Sequence, residues 1–352
     1  MRFLFCFLFL FSFQQFSQEV LDDNTLKKIE KKWDIGEETF VPKLDKPNDF
    51  KISGPIFLSA FLPERQEFPI NPSMDTTITG KYGTKITIPS NSIALPINFK
   101  KGDILTFKLE ELVNDLEFIS SGIHLNYFDK DRNYYLLETG GMFRISCEYY
   151  NKPLRLKRGA RLKVEFPMIS KEPMNLYKMS QSNEWIEKAV TNQPSNRVES
   201  EGVSIEKLFS YSDIIDDFTW WNFDKPNPEI SCIAGKIESE DFQPPFTAVL
   251  LGLDVIGATF SYNIDKLDFK MNAWANKKVK LIVVDAMGNI SIPNEFQTRK
   301  EQMFVTSKYD DVTKCMNAPK VVIKRNSNSV RKSREELLKF LGITDRVKPS
   351  TN

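Results

Sequence analysis

Arg161-Leu162-Lys163-Val164-Glu165-Phe166-Pro167 alternates polar and apolar residues without a fault before it meets a proline. Successive side chains of a strand point to opposite faces, so a period of two reads as a strand with one buried face and one wet face. The signature recurs on both sides of this segment. Lys85-Ile86-Thr87-Ile88 alternates and stops at Pro89, and residues 104–109 alternate after the turn residues Lys101-Gly102-Asp103. Residues 134–137 and 142–147 read as two strands separated by Thr139-Gly140-Gly141, and 176–179 with 185–186 as a closing hairpin. Residues 56–58 are a further candidate strand. Later strands are expected at 230–237, 247–253, 257–263, 268–274 and 278–285, with Asp285-Ala286-Met287-Gly288-Asn289 as a turn. Nineteen prolines and 28 phenylalanines favour the same architecture over a helical bundle. The expected fold is mainly β, with two β-sandwich domains over 56–190 and 229–305 joined by a linker over 191–228.

The two ends read differently. Met1-Arg2 carries one positive charge, residues 3–13 are almost wholly apolar, and a more polar stretch follows to Gln18. That order predicts a signal peptide over 1–17, because a spanning helix needs about 20 apolar residues. Export and a periplasmic or cell-surface location follow, with no membrane span after the signal is removed. Cys6 sits too early in the apolar run to be a lipidation site. Within 18–55, residues 21–33 form an expected short helix with Leu26, Ile29 and Trp33 on one face, docking either on the body or on a partner. A basic C-terminal tail occupies 306–352. From Pro319 onward it holds nine Lys/Arg against three Asp/Glu. Within it Ser333 caps a helix over 333–341, Glu335 and Glu336 fill the first turn, and Gly342 ends it.

The chemistry-bearing residues are sparse. The net charge is +1, which gives no reason to expect nucleic acid as a partner. His124 is the one histidine, and no Gly-x-Ser-x-Gly elbow accompanies it. Cys147, Cys232 and Cys315 are scattered, so a thiolate-imidazole metal site is not expected. Cys147 falls on an alternating strand as a small buried apolar residue, whereas Cys232 and Cys315 either pair or remain two buried thiols. Asp129-Lys130-Asp131-Arg132-Asn133 begins like a calcium loop but has Tyr134 and Gly140 where such a loop wants glycine and glutamate, so it reads as a charged hairpin turn. Asp213, Asp216 and Asp217 form an acidic cluster; paired carboxylates can cleave sugars, but such pairs are common by chance in a chain with 47 acids. Trp220, Trp221 and Phe223 either pack between layers or present a platform for a glycan. Lys324, Arg325, Arg331, Lys332 and Arg334 offer contacts to an acidic partner. No cofactor is expected.

One region carries a more specific likeness. It runs through residues 70–78, then Gly83-Thr84-Lys85-Ile86-Thr87-Ile88-Pro89-Ser90-Asn91-Ser92-Ile93, Leu109-Glu110-Glu111, Ser120-Ser121-Gly122, Leu137-Glu138-Thr139-Gly140-Gly141-Met142-Phe143, Lys152-Pro153-Leu154 and Trp185. It resembles the ZU5-like β-sandwich of secreted and envelope proteins of Bacteroidota-type bacteria, over roughly 68–188. Trp220-Trp221-Asn222-Phe223-Asp224 is similar to a segment that often precedes a smaller sandwich of carboxypeptidase-regulatory-like type. The resemblance implies an interaction or scaffold module. No His-Phe-Ser is present, so self-cleavage is not carried over. The expected function is a non-catalytic envelope scaffold that binds another envelope protein. A carbohydrate-binding module is the alternative, and a hydrolase with an unrecognised site comes third.

Overall fold

The structure is a computed structural model. It describes residues 61–168, 172–192, 195–197, 209–239, 245–264, 268–285, 288–300, 315–323 and 333–347, all within one unit spanning Pro42–Asn352. The segments expected to be a signal peptide, the 21–33 helix and the 56–58 strand lie outside the described residues.

The first group of strands is β1 (Gln66–Ile70), β2 (Thr76–Thr79), β3 (Lys85–Ile88), β4 (Leu105–Leu112), β5 (Asn126–Phe128), β6 (Tyr134–Tyr149), β7 (Lys152–Pro153), β8 (Leu162–Met168), β9 (Met174–Met179), β10 (Trp185–Asn192), β11 (Ser195–Arg197), β12 (Phe209–Ile215) and β13 (Trp220–Asn227). They form an eight-stranded sheet of order β1-β4-β6-β13-β9-β10, with β5 and β7 also paired to β6, and a five-stranded sheet of order β11-β12-β8-β3-β2. The second group is β14 (Ile230–Ser239), β15 (Phe246–Gly252), β16 (Ala258–Ile264), β17 (Asp268–Trp274), β18 (Lys278–Val284), β19 (Ile290–Ser291), β20 (Phe296–Gln297), β21 (Met316–Asn317) and β22 (Val321–Ile323). Here β17-β14-β21 with β22 make one sheet and β16-β15-β18-β19 with β20 another. Helices α1 (Asp115–Ser121) and α2 (Arg334–Leu341) complete the described elements. The described residues are therefore mainly β, with several sheets and two helices.

Alternation explains the layering. On β8, Leu162, Val164 and Phe166 are buried and meet Ile86 of β3 and Tyr211 of β12 across from Phe107, Phe143 and Ile145 of the eight-stranded sheet. The opposite face of that sheet offers Leu136, Tyr177 and Trp220, which pack on Ile230, Val255 and Trp274 of the second group. Ile233, Phe269 and Met271 face Leu250, Leu281 and Val283 in a third core. The outer face of the last sheet, with Val249, Leu251, Ile282 and Val284, is covered by Leu116 and Ile119 of α1 and by Leu337 and Leu341 of α2. Each sheet face that reads as continuously apolar thus finds a cover.

Several expectations need correction. The two strands at 134–137 and 142–147 are one, because Gly140-Gly141 do not turn the chain. Phe223 pairs with Gly141 and Asp224 with Thr139, leaving Gly140 as the extra residue of a bulge. Gly141 has φ +133°, and a Cβ there would stand 2.5 Å from the Phe166 ring. Phe166 stacks with Phe143 at 5.5 Å and Phe223 at 5.7 Å, so it has no room to yield. Gly141→Ala is expected to cost about 3 kcal/mol through strain and overpacking, read as a lower urea midpoint with unchanged slope. Pro167 lies inside β8 opposite Ser210 instead of ending the strand. The 191–228 segment contains β13, which pairs with both β6 and β9 and is an inner strand of the first sheet, not a linker. Ser120-Ser121-Gly122 closes α1 with Gly122 at φ 67° rather than forming an isolated turn.

Candidate functional site

The polar groups converge where the C-terminal segment crosses the body. Ser333 caps α2: its hydroxyl accepts from the Glu336 N–H at 3.3 Å, and the Glu336 carboxylate accepts from the Ser333 N–H at 2.8 Å. This is a reciprocal capping box. Gly342 stops the helix at φ 62°, a left-handed value that suits glycine. Lys280 from β18 then donates to the Leu341 and Gly342 carbonyls at 2.7 and 3.1 Å, placing a cation at the negative end of the helix.

Arg334, the first residue of α2, donates to Glu117 of α1 at 2.8 Å and to Asp345 at 2.6 Å. Arg346 donates to Asp115 at 2.8 Å. Asn114 treats Val347 as a strand neighbour would: its Nδ2 donates to the Val347 carbonyl at 3.0 Å, and its Oδ1 accepts from the Val347 N–H at 2.7 Å. Burial pushes the Glu117 and Asp115 carboxyls up, and the facing arginines pull them back down.

Beside this junction lies a cleft of about 240 Å³ lined by Phe61, Gln66, Lys81, Tyr82, Glu111, Glu117 and Arg334 among others. The Tyr82 hydroxyl donates to Glu117 at 3.2 Å. Its phenol is pushed far up by burial and by that carboxylate. Glu111, 1% exposed, accepts from Gln66 Nε2 at 2.8 Å and from the N–H groups of Tyr82 and Thr84 at 3.1 and 3.2 Å. It closes the β2–β3 turn, and a Cβ on Gly80 would collide with its carboxylate at 2.4 Å. These groups hold one another and the backbone in place.

Removing one member tests that reading. Arg334→Ala leaves a carboxylate that is 4% exposed with the Tyr82 hydroxyl but no cation, and frees Asp345. Arg334 is itself one-third exposed, so the loss is expected at about 2–3 kcal/mol, below the full penalty for a buried unpaired charge. An acid whose folded pKa is raised costs stability above that pKa and nothing below the unfolded one. The deficit should therefore shrink as pH falls through the carboxylate range, and Glu117→Gln with Arg334→Met should recover most of it at neutral pH.

The residues singled out in the sequence scatter. Trp220, Trp221 and Phe223 are 1%, 1% and 0% exposed. Trp220 packs against the second group of strands, and Trp221 and Phe223 face the first core. A ring needs a free face to stack on a sugar, so the glycan platform is overturned. Arg334 is committed to Glu117 and Asp345, which removes it as a free partner contact. Lys324, Arg325, Arg331 and Lys332 lie outside the described residues. Asp216 and Asp217 pair with Lys178 and Lys188. Asp129 accepts from the Asp131 and Asn133 N–H groups and from Asn133 Nδ2, as a hairpin turn requires. His124 sits edge-on to Phe260 at 5.8 Å, and burial pushes its imidazole down to about 4.

Asp224, 0% exposed, gave no signal in the sequence beyond its place in an aromatic run. Asn222 Nδ2 donates to its Oδ2, while Thr139 Oγ1 donates to Asn222 Oδ1 at 2.8 Å. Its Oδ1 has no hydrogen-bond partner, and desolvation raises the carboxyl well above the ordinary value. Asn fits the same space uncharged. Asp224→Asn is expected to be more stable than the parent at neutral pH, with the gain vanishing below about pH 4, where the unfolded acid is also protonated. Thermal melts across pH read this directly.

No family model matches the chain, and no curated protein matches it. Among solved structures, a Gamma-CGTASE from Alkalophilic bacillus clarkii is similar at 10% identity with a TM-score of 0.19, over 76% of this chain and 42% of that one. The chain spans less than half the length of that protein, and a likeness so loose carries no argument about fold or function.

Proposed function

We propose that this chain is an exported, non-catalytic protein of a bacterial cell envelope that serves as a scaffold for another envelope protein. In this reading β1–β13 form a ZU5-like β-sandwich and β14–β22 a smaller one of carboxypeptidase-regulatory-like type. The observation that carries the reading is the use of the polar groups around the cleft: Glu111, Glu117, Tyr82 and Arg334 are bonded to one another and to the chain, closing a joint. The disulfide between Cys232 and Cys315 supports an oxidising compartment. Among the described residues no helix is long and apolar enough to cross a membrane.

Crosslinking the exported protein in its own envelope and isolating it by a tag tests the idea. A discrete partner in fixed ratio is the expected result, and recovery of the protein alone from intact envelopes would sink it. Deleting residues 319–352 is a poor way to map the interface, because Leu337 and Leu341 belong to a core. Substitution of exposed positions, with the fold left intact, is the informative route.

A further inference from the structure

Three connections meet at one end of the first two sheets: residues 71–75 between β1 and β2, 89–104 between β3 and β4, and 150–161 between β6 and β8. They are knitted together. The Asn91 N–H donates to the Pro72 carbonyl at 2.7 Å, Ala94 to Arg155 at 2.9 Å and Lys157 to Ser92 at 2.8 Å, and Ile93 bridges Leu156. Phe99 packs on Tyr149 at 5.3 Å, so the long loop is anchored from below.

The surface of this end is unusual in two ways at once. Among the described residues ten large apolar side chains are exposed, and five of them are here: Met74, Leu95, Ile97, Ile104 and Tyr150. Ile97 is 106% exposed, as open as in an isolated chain. Around them stand Lys100, Lys101, Lys152, Arg155, Lys157 and Arg158, with Arg161 at the foot of β8, all exposed. The same three connections contain two acids, Asp75 and Asp103. Asp75 accepts from the Ser90 N–H, and Asp103 from the Lys100 N–H and the Tyr149 hydroxyl, so both serve the loop backbone or its anchor. The nearby Asp216 and Asp217 are taken by Lys178 and Lys188.

We propose that this end docks on an anionic lipid surface, with Ile97 and its apolar neighbours seated among the headgroups and the lysines and arginines paired with lipid phosphates. An acidic protein would satisfy the cations but would need an apolar hollow of matching shape for the fully exposed isoleucine. The interface of an anionic bilayer takes both, since each cation near it contributes electrostatically while apolar tips leave water. Loops already fixed by hydrogen bonds and ring packing lose little freedom on docking. The inference goes beyond the scaffold reading and does not depend on any protein partner.

The test is sedimentation of the exported protein with phosphatidylcholine vesicles and with vesicles in which part of that lipid is replaced by phosphatidylglycerol. Partitioning is expected only to the second, and to weaken with added salt. Lys157→Gln with Arg158→Gln should weaken it roughly 25-fold, about fivefold per charge. Ile97→Ser should weaken it by roughly tenfold while leaving every charge in place. All three positions are exposed loop residues, and an unchanged near-ultraviolet spectrum verifies the fold. Equal binding to neutral vesicles overturns the proposal, as does insensitivity to either variant. Capture by soluble polyphosphate that Ile97→Ser does not affect, with vesicles competing poorly, also overturns it by assigning the cations to a free polyanion.

Discussion

Replacing Leu337 and Leu341 together with alanine is expected to lower stability by roughly 5 kcal/mol, a third or more of the whole stability of a typical domain. Both side chains are buried, at 0% and 1% exposure, in the cluster that covers the outer face of the last sheet. A leucine cut to alanine in a core costs about 2–5 kcal/mol, the transfer energy plus the cavity, and neighbouring sites share part of that cost. The consequence reaches further than a frayed helix. Without α2, Val249, Ile282 and Leu116 lose their cover, and Arg334, Lys280 and Asn114 lose the partners that tie the C-terminal segment to both groups of strands. Urea unfolding should show a lower midpoint and exposure of apolar surface to a hydrophobic dye. A helix that melts alone, with the sheets unchanged in midpoint, would show that α2 is an ornament of the fold and not a strap.

The helix itself was legible: Ser333, Glu336 and Gly342 mark its bounds in the sequence, and the structure places the cap and the stop on those residues. What composition concealed was its destination. A net positive tail reads as solvated, yet Arg334 and Arg346 are matched by Glu117, Asp115 and Asp345, two of these acids lying over 200 residues away in sequence. Strands with clean alternation or compact apolar runs, such as β3, β17 and β18, fall at or within a residue of where the pattern puts them. Two misread segments fail for the same physical reason. Glycine pairs and prolines usually break a strand, but at Gly140-Gly141 and Pro167 tertiary pairing carries the strand through. Trp220-Trp221-Asn222-Phe223-Asp224 is buried on both faces, so its strand shows no period of two and hides among loop-like residues. The joint around Glu117 was not legible, because charges from four distant segments acquire meaning only when the fold brings them together.

Replacing Cys232 and Cys315 with alanine is expected to cost about 4 kcal/mol, by the loop-closure entropy that a link across 83 residues removes from the unfolded chain. The bond has a local task as well. Cys315 leads into β21, which adds to β14 in parallel through Ile233 with Met316 and Ala234 with Asn317, and β22 continues along the same strand to bring Val321 into the core. Two- and three-residue parallel strands have little hold of their own, so the link at Cys232 fixes their register. Reductant should lower the melting temperature of the parent to that of the variant and leave the variant unchanged. Cys147 will not scramble the pairing, since burial pushes its thiol up to about 12 and keeps it from the thiolate form that attacks disulfides. The same bond reports on compartment. Protein recovered from exporting cells and alkylated in denaturant without reductant should take up one label, on Cys147. Three labels would mean that the pair is reduced where the protein works, and the export reading would lose its chemical support.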